Sequence, residues 1–227
     1  MKKLAITLFA MLAVASTAFA ANQVRISQVG PGGGGSTGTY VYDYVELFNS
    51  GGTSVNIGGW VVEYGAATGN WGSSAGNYFT IPANTVIAPC SYLLIQCGAA
   101  GTAGTALPVT PDFTTGNMSM SATNGKVALF NALNANVACG SETAGSIVDK
   151  VAWGTGNCPE GTATAALTAP FGLVRNNGGL ADTDNNAADF TVVSAPVPHN
   201  SGSAQNAQCL ATPSMKSTWG TLKTLYR

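Results

Sequence analysis

Between residues 23 and 193 the chain breaks into about ten short extended runs at 8–15-residue spacing, each closed by Gly, Asn or Pro, and it never sustains a helical period. The runs are residues 23–29, 43–49, 55–57, 60–64, 78–81, 86–88, 91–97, 126–131, 147–153, 171–175 and 190–193. Pro82 stops the run at 78–81, and the nearly continuous apolar stretch 91–97 predicts a strand buried on both faces. Residues 115–121 fit a short edge strand and residues 163–169 one helical turn. This cadence predicts an all-β sandwich of about 8–10 short strands. The chain has 227 residues, 45% of them hydrophobic and 8% charged, which fits one domain of about 190 residues.

The organising stretch is residues 43–64, DYVELFNSGGTSVNIGGWVVEY. In an extended chain Tyr44, Glu46 and Phe48 face one way and Val45, Leu47 and Asn49 the other. Two glycine pairs, Gly51-Gly52 and Gly58-Gly59, supply turns, so the stretch predicts a three-strand meander centred on Trp60. It resembles the lamin tail domain family, in its secreted bacterial branch, through Asp43 to Asn49, Val55-Asn56-Ile57 and Gly59-Trp60. The blocks at residues 25–29, 125–129, 148–154, 160–161, 182–190 and 198–200 follow in the family's order over about residues 23–201. Two positions depart from the pattern: Gln28 replaces a common acid and His199 a common base. The resemblance implies an immunoglobulin-like sandwich acting as an interaction module. Such domains occur in exported bacterial proteins beside hydrolases, nucleases among them.

The ends read differently from the body. Lys2-Lys3, the apolar run 4–14 and Ala18-Phe19-Ala20 form a secretory signal over residues 1–20, cleaved near Ala20. No stretch is long enough to span a membrane. The sandwich is assigned to residues 21–201, a small polar linker to 202–214 and a short basic tail to 215–227. In the tail, Trp219, Leu222, Leu225 and Tyr226 recur at helical spacing among Lys216, Lys223 and Arg227. That pattern reads as a surface anchor or sorting tag, or as a frayed terminus. Residues 21–211 hold four bases, Arg25, Lys126, Lys150 and Arg175, against all ten acids, a net charge of −6. A body so acidic lacks the basic patch that nucleic-acid binding needs.

Five cysteines fit an oxidising compartment. Cys139 and Cys158 flank the strand at 147–153 and are expected to pair. Cys90 and Cys97 bracket an extended run and would stand roughly 23 Å apart at about 3.3 Å per residue, too far for a disulfide. Cys209 is left to pair with either of them.

Chemistry has few places to sit. His199 is the single histidine, and no G-x-S-x-G occurs. One histidine and oxidised cysteines leave too few ligands for zinc. The Gly-rich run 30–35 lacks the Lys and following helix of a phosphate loop and reads as a flexible loop. Trp71 stands in a loop, either to stack on a sugar ring or partner or to fold back over the sandwich. Asp182, Asp184 and Asn186 match the opening of a calcium loop, with Asp189 nearby, but Ala187 and Val193 stand where Gly and Glu are needed. The segment is therefore a candidate weak calcium site or an Asx turn. No other cofactor is implied. Glu46 sits in an apolar strand and needs a partner, for which Arg175 is the expected ion-pair residue. No catalytic set emerges. The expectation is a secreted or cell-surface, non-catalytic module that meets an extracellular protein or polymer. The alternatives are an accessory module beside an extracellular hydrolase such as a nuclease, or a weak calcium-dependent binder.

Overall fold

The computed structural model describes residues 23–33 and 36–210. The expected signal segment and the tail residues Trp219, Leu222, Leu225 and Tyr226 lie outside them. The described chain is an all-β, immunoglobulin-like sandwich. Its strands are β1 (Val24–Gly30), β2 (Asp43–Asn49), β3 (Val55–Asn56), β4 (Val61–Ala66), β5 (Tyr78–Thr80), β6 (Val86–Ile87), β7 (Tyr92–Cys97), β8 (Phe113–Thr114), β9 (Gly125–Phe130), β10 (Ile147–Trp153), β11 (Phe171–Arg175) and β12 (Phe190–Ser194). A six-stranded sheet runs β12-β11-β1-β2-β7-β8, a four-stranded sheet runs β10-β9-β4-β5, and β3 pairs with β6. All pairs are antiparallel except β7 with β8.

The expected meander does not form. β2, β3 and β4 belong to three different sheets. Each large sheet has one face to bury against the other, so the chain crosses between them instead of folding back beside β2. Gly59, at φ +86°, makes the second turn of that crossing. Residues 115–121 form no strand; Met118 and Met120 are buried there in an irregular segment. Residues 163–169 hold no helical turn: Thr164 bridges to Trp153, and Leu167 enters the core.

Alternation decides which side chains meet. Ile26, Val45, Leu47, Leu93 and Ile95 of the large sheet pack against Val62, Tyr64, Val127, Leu129 and Trp153 of the other. The outer faces are not bare. On the large sheet, Tyr44 and Leu94 form a second cluster with Leu107. On the four-stranded sheet, Ala128 and Phe130 are covered by Trp71, which is fully buried and edge-on to Phe130 at 5.5 Å. The loop tryptophan thus folds back over the sandwich.

Candidate functional site

Strand β1 carries a bulge between Ile26 and Gln28, and β11 pairs with β1 only at Gln28 and Val29. The amide and carbonyl of Ile26 are therefore free of that ladder. Asp149 on β10 takes the amide through Oδ2 at 2.6 Å. Arg175 at the end of β11 donates Nε to the carbonyl at 2.8 Å. The two side chains then bond to each other, Nη2 to Oδ2 at 2.5 Å. Arg175 also donates Nη1 to Ala181 O at 2.9 Å, lies 3.6 Å from Asp182, and covers the Phe190 ring at 4.5 Å. Burial pushes the Asp149 carboxyl up, and the Arg175 charge opposes that push.

This corrects the expected Glu46–Arg175 pair. Val45 and Leu47 face the core, so Glu46 points to the outer face of the sheet. Leu173 faces the core too, so Arg175, two residues on, points inward. Glu46 is instead satisfied by Ser27 Oγ at 2.5 Å and by the backbone amide and ring of His199 at 2.5 and 3.1 Å. The His199 ring stacks on Tyr92 at 4.5 Å. Its bond to Glu46 raises the imidazole pKa, and burial partly offsets that. His199, which replaces a common base at this position, thus has Glu46 as its partner.

The four calcium candidates do not form one cage. Asp182 faces Arg25 at 3.3 Å and Arg175. Asp189 accepts the Thr183 amide and hydroxyl at 2.8 and 2.9 Å. Asn186, fully buried, accepts the amides of Ala152 and Glu160 and donates to Lys150 O. These are the bonds of a turn that ties three segments together. Asp182 and Asp184 do line a cavity of about 230 Å³ with Asp149, Glu160 and the base Arg25. There burial, with the charges of Asp149 and Asp182, raises the Glu160 pKa to about 8.

Two disulfides form. Cys139 pairs with Cys158, as expected, and Cys90 with Cys209. Cys97 is buried and free. The Cys90–Cys209 bond changes the picture of the expected linker. Residues 205–209 are fastened to the body: Gln205 donates to Pro89 O, and Asn206 to Tyr92 Oη and Gly178 O. Sequence reasoning also missed Asp43. Its two oxygens take the amides of Gly33 and Met120, and burial raises its pKa to about 6. An acid opening a strand beside a Gly-rich loop was the available signal.

One recess is lined by aromatic and proline side chains: Tyr40, Tyr42, Tyr44, Pro170, Phe171 and Pro196. Among the described residues, no helix is long and apolar enough to cross a membrane.

Strands, covered outer faces and internally satisfied charges together define an immunoglobulin-like β-sandwich module. The family model described as Lamin Tail Domain matches residues 17–155, more than half of the chain. The chain belongs to the lamin tail domain family. A search of curated proteins finds no match. Among solved structures, a DUF4876 family protein from Bacteroides thetaiotaomicron is similar, with a TM-score of 0.54 and 12% identity over 82% of this chain and 75% of that one. At that identity the likeness speaks for the fold alone.

Proposed function

We propose that this protein is a secreted or cell-surface, non-catalytic interaction module whose contact surface is the tyrosine- and proline-lined recess. What supports the reading is the fate of its polar groups. Arg175, Asp149, Glu46, Asp43, Asn186 and Asp189 all bond to the protein's own backbone. The recess is a concave surface among the described residues where half-buried aromatic rings, those of Tyr40, Tyr42 and Phe171, stay open to contact. Tyrosine beside proline suits an extended protein or polymer segment through ring area for packing. The Tyr40 and Tyr44 hydroxyls donate to Pro196 O and Gln28 Oε1, so the hydroxyl offered to a partner is that of Tyr42. The two disulfides and the signal-like first 20 residues support export.

Fractionation of producing cells tests this. The full chain is expected in the envelope or the medium, and retention in the cytoplasm overturns export. Removal of residues 212–227 is expected to shed an envelope-held protein into the medium, as an anchor built on Trp219, Leu222, Leu225 and Tyr226 requires. Equal recovery in the medium with and without them removes the anchor reading.

The cavity, in which four acids outnumber the one base Arg25, favours a second reading, weak calcium binding by Asp182 and Asp184 beside Glu160. Calcium is then expected to raise the melting temperature relative to chelator, and Asp184→Asn to abolish the rise. An unchanged melting temperature in millimolar calcium sinks this reading.

A further inference from the structure

Lys126 lies on β9, on the outer face of the four-stranded sheet, and is fully buried. Its stem crosses Gly65 of β4, its cross-strand partner. A Cβ added at Gly65 would stand 2.5 Å from Lys126 Cε and would push the lysine off this path. The Trp71 ring closes over the amine, with Nζ 4.8 Å from its centroid. Among the described residues Nζ forms no ion pair. Its hydrogen-bond partners are two neutral oxygens, Gly69 O at 2.6 Å and the side-chain oxygen of Asn157.

A buried ammonium without a counter-ion is costly, and a cation–π contact offsets only part of the cost. Burial accordingly lowers the amine's pKa, against the opposing charge of Glu142. The result is a shielded amine with nucleophilic character, held against a carboxamide. The backbone that carries the carboxamide is fixed as well. The main-chain N–H of Asn157 donates to Ala67 O at 2.7 Å, and the next residue, Cys158, is bonded to Cys139.

We infer that Lys126 and Asn157 are joined by an intramolecular isopeptide bond formed by the folded protein itself. The neutral amine adds through Nζ to Cγ of Asn157. The Nζ–Cγ bond forms, the Cγ–Nδ2 bond breaks, and Nδ2 leaves as ammonia with one proton taken from Nζ. An amine and a primary amide become a secondary amide and ammonia, with no change of oxidation state and no co-reactant. The transfer of that proton is assigned to Glu142 as part of the same inference. Its charge acts on Lys126, and its Oε1 accepts Trp71 Nε1 at 2.6 Å, on the ring that roofs the amine. The product replaces a buried charge by an amide, and it links β9 to the loop after β10.

Peptide mapping of the reduced, purified protein by tandem mass spectrometry tests this. The expected result is one branched peptide joining the segments around residues 126 and 157, lighter than their sum by one ammonia, about 17 Da. Recovery of the two segments as separate linear peptides of unmodified mass overturns the inference. So does amine labelling of Lys126 after denaturation, because a bonded Nζ is no longer a free amine. Deamidation or cyclisation at other asparagines gives no branched peptide and cannot imitate the result. In Glu142→Gln the two peptides are expected to stay separate while the Cys139–Cys158 bond persists. A branched peptide in that variant overturns the role given to Glu142.

Discussion

Arg175 carries three hydrogen bonds into three different parts of the chain, Ile26, Asp149 and Ala181. Arg175→Ala would leave Asp149 buried with its charge unmatched, and is expected to cost about 3–5 kcal/mol, read from denaturant melts. Arg175→Lys should recover little of it, since an ammonium cannot span all three positions. His199 is the single histidine, so its ring protons report one clean titration by NMR. The Glu46 contact raises its pKa in the folded state, so the midpoint should lie above the ordinary value of about 6.5. The stability this pair contributes is then present below about pH 6.5 and fades as pH rises through the folded midpoint. Glu46→Gln should bring the midpoint down. An unmoved midpoint would mean that Glu46 does not set it.

At the level of strands, most of the positions were legible, because short alternating runs between Gly, Asn and Pro leave few other solutions. Partnership between sheets was not. Nothing in residues 43–64 tells a meander from a crossing, since each run alternates equally well in either arrangement. The Glu46–Arg175 expectation failed for a related reason. The need of Glu46 for a partner was readable, whereas the inward aim of Arg175 follows from Leu173 facing the core, a fact of packing. The Asp182–Asp189 turn was legible as an alternative to a calcium loop, but the segments it binds, at Ala152 and Glu160, are distant in sequence. The segment at 205–209 is a further case: small polar residues read as linker, yet Asn206 and Cys209 fasten it down. A Cys90→Ser/Cys209→Ser protein should lose about 2–5 kcal/mol, judged by thermal or chemical unfolding. It should also become cleavable between residues 199 and 210 under limited proteolysis. Equal resistance of both proteins would show that the hydrogen bonds of Gln205 and Asn206 suffice.

The molecule as a whole is acidic, and several of its acids are held where ionisation is disfavoured. Glu160 is raised from 4.5 to about 8 and Asp43 from 3.8 to about 6. A carboxyl with a raised folded pKa binds its proton more tightly in the folded state. Its contribution is therefore intact at low pH and is lost as pH rises from the unfolded to the folded value. The melting temperature is expected to fall between about pH 4.5 and 8, and Glu160→Gln should flatten the upper part of that slope. An identical slope in the variant would assign the effect to other groups. Family and fold class could be read from ordered sequence blocks, whereas these shifted acids could not, because burial and neighbouring charge are properties of the assembled sandwich. The Cys90–Cys209 bond also acts at this scale. A pull applied between residues 23 and 210 follows the covalent chain only as far as Cys90 and then passes directly to Cys209. Strands β7 to β12, with the second disulfide among them, sit in a closed loop outside that covalent path and meet the load only through their pairing with β1, β2 and β4. Tension on the protein's ends would have to tear β1, β2 and β4 away from β11, β7 and β9, and even then the segment closed by the disulfide could not be drawn out.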